Sequence, residues 1–216
     1  MPDGSRGTSR PRTSRASTAR SPCAGRDEHV LSGAVIQGQR VVLRPVEERD
    51  YPLIRQWMNH PEVWRYMDYE RPYSLADVKD DIEEAHKQGH AFTILVDDRP
   101  IGRIGVNSFR RRDRICGFYM YIGEPQFWGQ GYASDAVMTL LAFAFDRYDL
   151  NLVELWTLAD NDRAVASYRR CGFVEEARLR ERSWKEGRWV DHVVMSVNRE
   201  EFERAHQSWL ERHTTA

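Results

Sequence analysis

The sequence has 216 residues, more than most single domains need and fewer than two full domains, so we expect one domain with an appendage. It carries 32 Lys and Arg residues against 33 Asp and Glu residues, and 41% of its residues are hydrophobic. These values describe a globular chain with a sizeable core and exclude the collagen-like and wholly disordered classes. The longest apolar run, residues 137–145, is about half of what a bilayer crossing needs, so we expect no membrane span.

The charge is divided unevenly along the chain. Residues 1–26 contain six arginines and one aspartate, a formal charge of +5, which leaves −6 on the rest. This segment is also rich in Ser, Thr, Gly and Pro, and Met1 is its only strongly apolar side chain, so burial cannot offset the entropy lost on ordering. We therefore predict a disordered arm over residues 1–32. It is interpreted as a solvated tail or the result of a misplaced start codon, with a transit peptide or a nucleic-acid-binding arm as alternatives.

Cysteine usage indicates a reducing compartment. Cys23, Cys116 and Cys171 are widely spaced, include no CxxC pair and are odd in number, so they cannot make an even disulfide framework. The first 28 residues contain no apolar h-region of a secretory signal. We therefore expect a cytoplasmic protein.

Beyond the arm, strand and helix signals alternate. A short strand is predicted at residues 40–44, and Asp50 can cap the helix that follows it. Ser74 and Asp77 resemble a capping box, and Gly89 can end the helix that begins there. Further strands are predicted at residues 91–96, 101–106, 115–122, 152–158, 173–179 and 190–197, and further helices at residues 132–147, 162–171 and 200–212.

This order of elements predicts an α/β (α+β) domain with a mixed, mostly antiparallel sheet flanked by helices. The strand at 115–122, the helix at 132–147 and the strand at 152–158 would form one central βαβ unit. The domain is predicted to span residues 33–198, followed by a C-terminal helix and tail at 199–216. We expect the chemistry to be located at the βαβ unit.

A glycine-containing turn joins the first strand of this unit to its helix. Residues 126–133 read Gln-Phe-Trp-Gly-Gln-Gly-Tyr-Ala. Glycines allow a tight turn and direct several N–H groups at one spot, and a helix N-terminus adds about half a positive charge, which together suit a pyrophosphate. The segment has neither the Gly-Lys-Ser/Thr of a phosphate-binding P-loop nor the spacing of the dinucleotide fingerprint. On geometry alone, an ordinary glycine turn before a core helix fits as well.

The pattern Gln126-x-x-Gly129-x-Gly131 followed by Tyr132 and Ala133 resembles the coenzyme A signature of the GCN5-related N-acetyltransferases (GNAT). It is similar in particular to the branch with the RimJ/RimL ribosomal-protein and spermidine acetyltransferases. Further motifs match that branch in order and spacing at residues 40–45, 50, 151–155, 161–164, 168–173 and 187–195. The resemblance covers about residues 36–198. It implies a GNAT-like fold and an enzyme that transfers an acetyl group from acetyl-CoA to a primary amine.

The resemblance also implies roles for individual residues. The oxyanion donor maps to the backbone N–H of Tyr121 or Ile122, at the splayed end of the preceding strand. Tyr168 would protonate the departing thiolate, although an aromatic residue at this position of the helix can also be simple core. Asn161 would contact the coenzyme or merely cap its helix. The backbone amides that would cradle the pyrophosphate belong to Phe127, Trp128, Gly129, Gln130, Gly131, Tyr132 and Ala133.

The sequence departs from the family pattern at the general base. Many relatives carry a glutamate in the strand before the glycine turn, whereas residues 115–121 contain no acid. An alkylamine with a pKa of about 10.4 costs about 4.6 kcal/mol to deprotonate at pH 7, and an α-amine with a pKa near 8 costs about 1 kcal/mol. We therefore expect a peptide or protein N-terminus as the favoured acceptor. A polyamine or aminoglycoside acetyltransferase, and a non-catalytic acyl-CoA-binding module, are the alternatives.

Other reactive side chains are interpreted as structural. Cys116 is expected to be a buried thiol rather than a nucleophile, and His90 is expected at the surface, with a role as base in the acceptor cleft as the alternative. Asp191 and His192 are adjacent in a predicted strand, so they should point to opposite faces and form no dyad. The sequence contains no metal-binding motif, so we expect no metal.

Aromatic and acidic residues cluster in and after the first helix, where the family builds its acceptor wall. Ring faces and negative charge together suit a cationic amine, although core packing accounts for Trp57 as easily. Dimers are usual among relatives, so a homodimer is a further expectation. The residues of this wall are Trp57, Trp64, Tyr66, Tyr69 and Tyr73, with Glu62, Asp68 and Glu70.

Overall fold

The computed structural model describes residues 35–67 and 71–214. The predicted arm at 1–32, together with Cys23, lies outside the described residues. The strands are β1 (Ile36–Gln37), β2 (Val42–Pro45), β3 (His90–Val96), β4 (Arg99–Arg110), β5 (Ile115–Ile122), β6 (Leu152–Leu158), β7 (Val174–Lys185) and β8 (Arg188–Asn198). The helices are α1 (Tyr51–Met58), α2 (Pro61–Trp64), α3 (Leu75–Gln88), α4 (Tyr132–Tyr148), α5 (Asp162–Arg170) and α6 (Arg199–Thr214).

All eight strands form one sheet in the order β1-β2-β3-β4-β5-β6-β8-β7. β5 and β6 are parallel, and every other neighbouring pair is antiparallel. Because α4 connects the two parallel strands, the predicted βαβ unit and the predicted α/β class with a mostly antiparallel sheet are confirmed. Within the described ranges, no helix has the length and apolar character that a membrane crossing requires.

Two apolar clusters cover the two faces of the sheet. On one face α4 is buried along most of its length, with Leu140, Leu141 and Phe145 at its centre. On the other face α1 and α3 pack on the sheet through side chains such as Trp57 and Ile82. α6 joins the first cluster, so the predicted C-terminal helix packs on this core.

The outer hairpin is longer than its sequence pattern predicted. Strands were expected at 173–179 and 190–197, whereas β7 extends to Lys185 and β8 begins at Arg188. Most side chains of β7 are exposed, so the outer part of this strand carries no burial pattern that periodicity could detect. The short elements β1 and α2 were missed for the related reason that two and four residues are too few to show a period.

The structure agrees with the predicted helix cap at α3 but not at α1. The Ser74 hydroxyl accepts the Asp77 N–H at 3.2 Å and the Asp77 carboxylate accepts the Ser74 N–H at 2.8 Å, which confirms the predicted capping box. Asp50 precedes α1, but its side chain does not cap that helix. The carboxylate is buried and accepts hydrogen bonds from the Arg44 guanidinium at 2.8 Å and the Thr93 hydroxyl at 3.0 Å. The prediction failed because the carboxylate is occupied by these two side chains and by the Glu47 N–H at 2.9 Å, none of which belongs to α1.

Candidate active site

The central feature of the sheet is a gap between its two parallel strands. Ile115, Cys116 and Gly117 pair with residues 152–154 of β6, and the pairing of these two fully described strands ends there. β4 continues to pair with β5 as far as Ile122, and β8 continues to pair with β6 to its end. The two parallel strands therefore diverge beyond Gly117 and open the sheet.

The register decides which amides face this gap. The N–H of Gly123 donates to the carbonyl of Ile101 in β4 at 2.8 Å. Because peptide directions alternate along an antiparallel ladder, Tyr121 also directs its N–H at β4, whereas the N–H of Ile122 points to the gap. The indole Nε1 of Trp128 donates to the Ile122 carbonyl at 2.9 Å from the same side. The register therefore favours Ile122 over Tyr121 as the oxyanion donor.

The glycine turn presents a row of unsatisfied amides beside the gap. Gly129 and Gly131 have φ values of 74° and 87°, a left-handed backbone that glycine adopts without strain. The first hydrogen bond of α4 runs from the Asp135 N–H to the Gly131 carbonyl at 3.1 Å. Within the described chain, the amides of residues 129–134 have no protein acceptor. Unsatisfied amides at a helix N-terminus form an anion site.

Arg40, which lies just before β2, contacts the glycine turn. Its guanidinium donates to the Gln130 carbonyl at 2.7 Å and lies 4.1 Å from the ring centroid of Tyr132. The Asp135 carboxylate accepts the N–H groups of Arg40 at 2.6 Å and Val41 at 3.0 Å. These contacts add a positive charge beside the free amides. Sequence reasoning missed this role, and the only signal for Arg40 was its place in the first family motif.

The gap opens into a cavity of about 710 Å³, a size typical of small-molecule sites. Of the predicted site residues, only Tyr132 does not line it, and its ring packs against the Arg40 guanidinium. The predicted residues that line the cavity are Tyr121, Ile122, Phe127, Trp128, Gly129, Gln130, Gly131, Ala133, Asn161 and Tyr168.

Tyr168 belongs to the core and to the cavity at the same time. Its ring centroid lies 6.0 Å from that of Phe118 in an edge-on contact and 5.7 Å from that of Phe173 in a tilted one. Burial, assisted by the nearby Cys171 thiol, raises the pKa of Tyr168 well above its ordinary value. The phenol is therefore neutral at physiological pH and is held rigidly at the cavity wall.

α5 supplies two further polar contacts to this wall. The Asn161 side chain accepts the Ala164 N–H at 3.3 Å and so caps α5, while Asn161 also lines the cavity. The Arg163 guanidinium lies 3.9 Å from the ring centroid of Trp128 and 6.0 Å from that of Tyr66. Arg163 thus connects the glycine turn with the segment after α2.

The two described cysteines are buried and disfavoured as thiolates. Burial, together with the Glu154 charge, raises the pKa of Cys116 to about 12, and burial also raises the pKa of Cys171 to about 12. Both thiols are fully buried, which confirms the structural interpretation of Cys116. His90 lies outside the cavity, where its ring stacks on Tyr148 at 5.5 Å. Among the residues described, no group of three or more His, Cys, Asp or Glu side chains could hold a metal ion.

Asp191 and His192 point to opposite faces, as predicted. Asp191 accepts a hydrogen bond from the Arg178 guanidinium at 2.7 Å. His192 lines the cavity, and its Nε2 is 2.8 Å from the Ser183 hydroxyl. Sequence reasoning missed the position of His192, since the pairing of β8 with β6 brings it beside Leu158 at the cavity.

The predicted acceptor wall is present in part. Glu62 and Tyr66 line the cavity. Trp57 is buried in the core and donates to the Glu124 carboxylate at 2.9 Å, so core packing is the correct interpretation for this residue. Trp64 and Tyr73 do not line the cavity, and Asp68, Tyr69 and Glu70 lie outside the described residues.

Comparisons with known proteins agree with this architecture. An uncharacterized N-acetyltransferase of Bacillus licheniformis is 26% identical over 171 residues, which cover 76% of this chain and 96% of that protein. The spermidine N(1)-acetyltransferase of Vibrio cholerae is 28% identical over 162 residues, which cover 73% and 92%.

Solved structures show the same fold. Spermidine N-acetyltransferase from Vibrio cholerae in complex with CoA and spermine superposes with a TM-score of 0.69 at 24% identity, over 76% of this chain and 98% of that one. RimL, a ribosomal alpha-N-protein acetyltransferase in complex with coenzyme A, superposes with a TM-score of 0.67 at 17% identity, over 74% and 94%. The profile of the acetyltransferase (GNAT) domain matches residues 40–174, more than half of the sequence. The chain therefore belongs to the GNAT acetyltransferase family, and it is an N-acetyltransferase.

Proposed function

We propose that the protein transfers the acetyl group of acetyl-CoA to a primary amine, with a peptide or protein N-terminus as the favoured acceptor. One observation carries this proposal. The unsatisfied amides of residues 129–134 lie at the edge of the gap between β5 and β6, in the cavity that Tyr168 lines. A diphosphate bound at those amides directs the attached thioester into the gap.

The chain offers a contact for each part of the coenzyme. The pyrophosphate would accept the amides of the glycine turn, with the Arg40 charge beside them. The thioester arm would run along the diverging strands, whose facing peptide groups, apart from the Ile122 carbonyl that Trp128 occupies, have no strand partner in the described chain beyond Gly117. The Ile122 N–H would then donate to the thioester oxygen as charge develops on it.

Tyr168 would act as the hydrogen-bond donor to the leaving sulfur. A free thiol has a pKa of about 8.5 and a phenol about 10, so full transfer of the phenol proton to a thiolate is unfavourable. Burial raises the pKa of Tyr168 further and increases this mismatch. Tyr168 would therefore donate a strong hydrogen bond to the departing sulfur and pass on its proton only as it is itself reprotonated.

The preference for a weaker amine rests on the charges of the cavity. Of the described residues that line it, Glu62 is the one carboxylate, and it lies on α2 rather than in β5. With so few carboxylates to accept a proton, the site favours the amine that is easier to deprotonate at pH 7, which is an α-amine rather than an alkylamine. The second candidate acceptor is a polyamine, which the spermidine acetyltransferases among the relatives and the placement of Glu62 beside Tyr66 favour.

Two measurements test the proposal. Calorimetry with acetyl-CoA should show saturable binding, and thiol release should occur with an amine panel of N-terminal peptides, spermidine and an aminoglycoside. We expect the highest kcat/KM with N-terminal peptides. Equal or faster turnover of spermidine would contradict the acceptor preference. Tight coenzyme binding without turnover of any amine would instead favour a non-catalytic acyl-CoA-binding module.

A further inference from the structure

We propose that Arg163 binds a carboxylate of the acceptor, so that the enzyme prefers α-amines that carry a carboxylate close to the amine. This inference rests on the proposed acetyl transfer and names the class of acceptor within it. The carboxylate belongs either to an acidic side chain at the first or second position of a peptide or to a free amino acid. Arg163 is exposed and lines the cavity as the second residue of α5.

The Arg163 guanidinium lies where the acceptor wall meets the glycine turn. Its centre is 3.9 Å from the ring centroid of Trp128, whose indole N–H donates to the Ile122 carbonyl at 2.9 Å. One indole ring therefore separates the guanidinium from the strand end that carries the proposed oxyanion donor. The Tyr66 ring of the acceptor wall is 6.0 Å away and also lines the cavity. A carboxylate bound at Arg163 would thus lie close to an amine that attacks the thioester.

The N–H groups of Arg163 are available to a ligand. A guanidinium has five N–H donors, and within the described ranges those of Arg163 have neither a hydrogen-bond acceptor nor a carboxylate partner. The contact with Trp128 restrains the position of the guanidinium. A restrained guanidinium fork matches the two oxygens of a carboxylate and binds them with two parallel hydrogen bonds.

Helix stability does not account for a cation at this position. The N-terminus of a helix carries a partial positive charge, so a cation in the first turn of α5 is unfavourable. In the part of the chain that the structure describes, no ion pair offsets this cost for Arg163. The positive end of the helix and the guanidinium together attract an anionic group at the mouth of the cavity.

The other two arginines that line the cavity lie farther from the acceptor wall. Arg40 is bonded to the Gln130 carbonyl at 2.7 Å, beside the amides proposed for the pyrophosphate. Arg170 is the last residue of α5, seven positions or roughly 10 Å along the helix from Arg163. Since only Arg163 of the three contacts Tyr66, it is the arginine placed to read the acceptor rather than the coenzyme phosphates.

The test measures acetyl transfer to pairs of acceptors that differ only in a carboxylate. The pairs are peptides with Asp or Asn at the first position, peptides with Glu or Gln at the second position, and free alanine or alaninamide. For each pair, the ratio of the two kcat/KM values is compared among the wild type, Arg163→Gln, Arg163→Lys and Arg204→Gln. Because every protein meets the same pairs, differences in the pKa of the amines cancel in this comparison.

We expect the wild type to favour the carboxylate-bearing member of at least one pair. Hydrogen bonds to a charged group are strong enough that Arg163→Gln should lower this ratio by about 10- to 100-fold. Arg163→Lys keeps the charge but not the fork and should lower the ratio less. Arg204 is an exposed residue of α6 outside the cavity, so Arg204→Gln makes the same change in net charge and should keep the wild-type ratio.

The outcomes separate this inference from the proposed function. A wild type that turns over the amide member of every pair at least as well would overturn the inference and leave acetyl transfer standing, and so would wild-type ratios in Arg163→Gln. Unchanged ratios together with a tenfold loss of acetyl-CoA affinity in calorimetry would instead assign Arg163 to the coenzyme. The pair that responds to Arg163→Gln identifies the source of the carboxylate. A wild type that neither binds acetyl-CoA nor turns over any amine would overturn both proposals.

Discussion

At the scale of single residues, Tyr168 shows why two sequence interpretations need not exclude each other. Its spacing within α5 indicated a core position, and its place in the family motif implied an acid. The structure packs the ring between Phe118 and Phe173 and also exposes the residue to the cavity. A rigid phenol aimed at the site needs such packing, since an unsupported side chain would lose entropy on every turnover.

Tyr168→Phe tests the hydroxyl without disturbing this packing. We expect kcat to fall by about 100-fold or more while the acetyl-CoA dissociation constant and the unfolding midpoint stay unchanged, because only the proton donor is lost. Steady-state kinetics, calorimetry and thermal unfolding measure the three quantities. Tyr148→Phe is the control, since Tyr148 stacks on His90 outside the cavity. An unchanged kcat would remove the proposed role.

Asp50 allows a stability prediction with a defined pH dependence. Burial alone raises the pKa of Asp50, but the hydrogen bonds from Arg44, Glu47 and Thr93 outweigh it and lower the pKa. A depressed folded-state pKa stabilises the protein above the unfolded value of about 3.9, and this stability is lost as the pH falls below it. Asp50→Asn should therefore cost about 3 kcal/mol at pH 7, because the largely buried Arg44 then keeps only the exposed Glu47 carboxylate as an ion-pair partner, and should cost about 1 kcal/mol less at pH 3.

Urea unfolding at pH 7 and pH 3 measures this difference. Asp149→Asn serves as the control, since Asp149 is exposed and pairs with Arg114 and Arg199 near the surface. Exposed ion pairs contribute about 0–1 kcal/mol, so this variant should differ little from the wild type at either pH. An Asp50→Asn protein with the same loss at both pH values would show that packing, and not charge, explains the effect.

At the scale of elements, the glycine turn depends both on its local sequence and on contacts with residues that are distant in the chain. The sequence indicated the turn, the helix after it and the anion-binding character of their junction. It could not indicate Arg40 and Asp135, whose contact spans 95 positions of the chain. For the same reason the strands 115–122 and 152–158 were predicted to the residue, while their divergence beyond Gly117 was not derivable from either strand alone. Local patterns specify elements, and pairing between distant elements specifies the site.

Gly129 and Gly187 have similar left-handed backbones, so substituting each of them separates the effect of backbone strain on stability from an effect on coenzyme binding. Gly129 has a φ of 74° and Gly187, in the turn between β7 and β8, has a φ of 80°. A Cβ at either position would meet nothing within 4 Å, so alanine introduces only conformational strain, about 1–2 kcal/mol. Gly129→Ala and Gly187→Ala should therefore lose similar stability in chemical unfolding. Only Gly129→Ala should weaken acetyl-CoA binding by calorimetry, and equal affinity in both variants would contradict the pyrophosphate cradle.

At the scale of the whole molecule, the predicted boundaries can be compared with the packing. The arm at 1–32, a cytoplasmic location and a homodimer stay predictions from the sequence. The segment at 199–216 was predicted as a C-terminal helix and tail, and α6 contributes side chains to the core. The Phe202 ring stacks on Phe145 at 5.1 Å, and Trp209 is 8% exposed and lines the cavity. Sequence periodicity identified the helix but not its docking site, because that site is assembled from α4 and β8.

Two truncations test this division of the chain. Removing residues 199–216 takes Phe202 and Trp209 out of the core, and each buried aromatic contributes about 3–5 kcal/mol. That sum approaches the whole stability of a typical domain, about 5–15 kcal/mol, so this protein should lose its cooperative thermal transition and its acetyl-CoA binding. Removing residues 1–32 should leave the midpoint and the coenzyme affinity unchanged, because the arm has too little apolar surface to be part of the core. A cooperative transition at the wild-type midpoint after removal of 199–216 would show that the domain ends at residue 198.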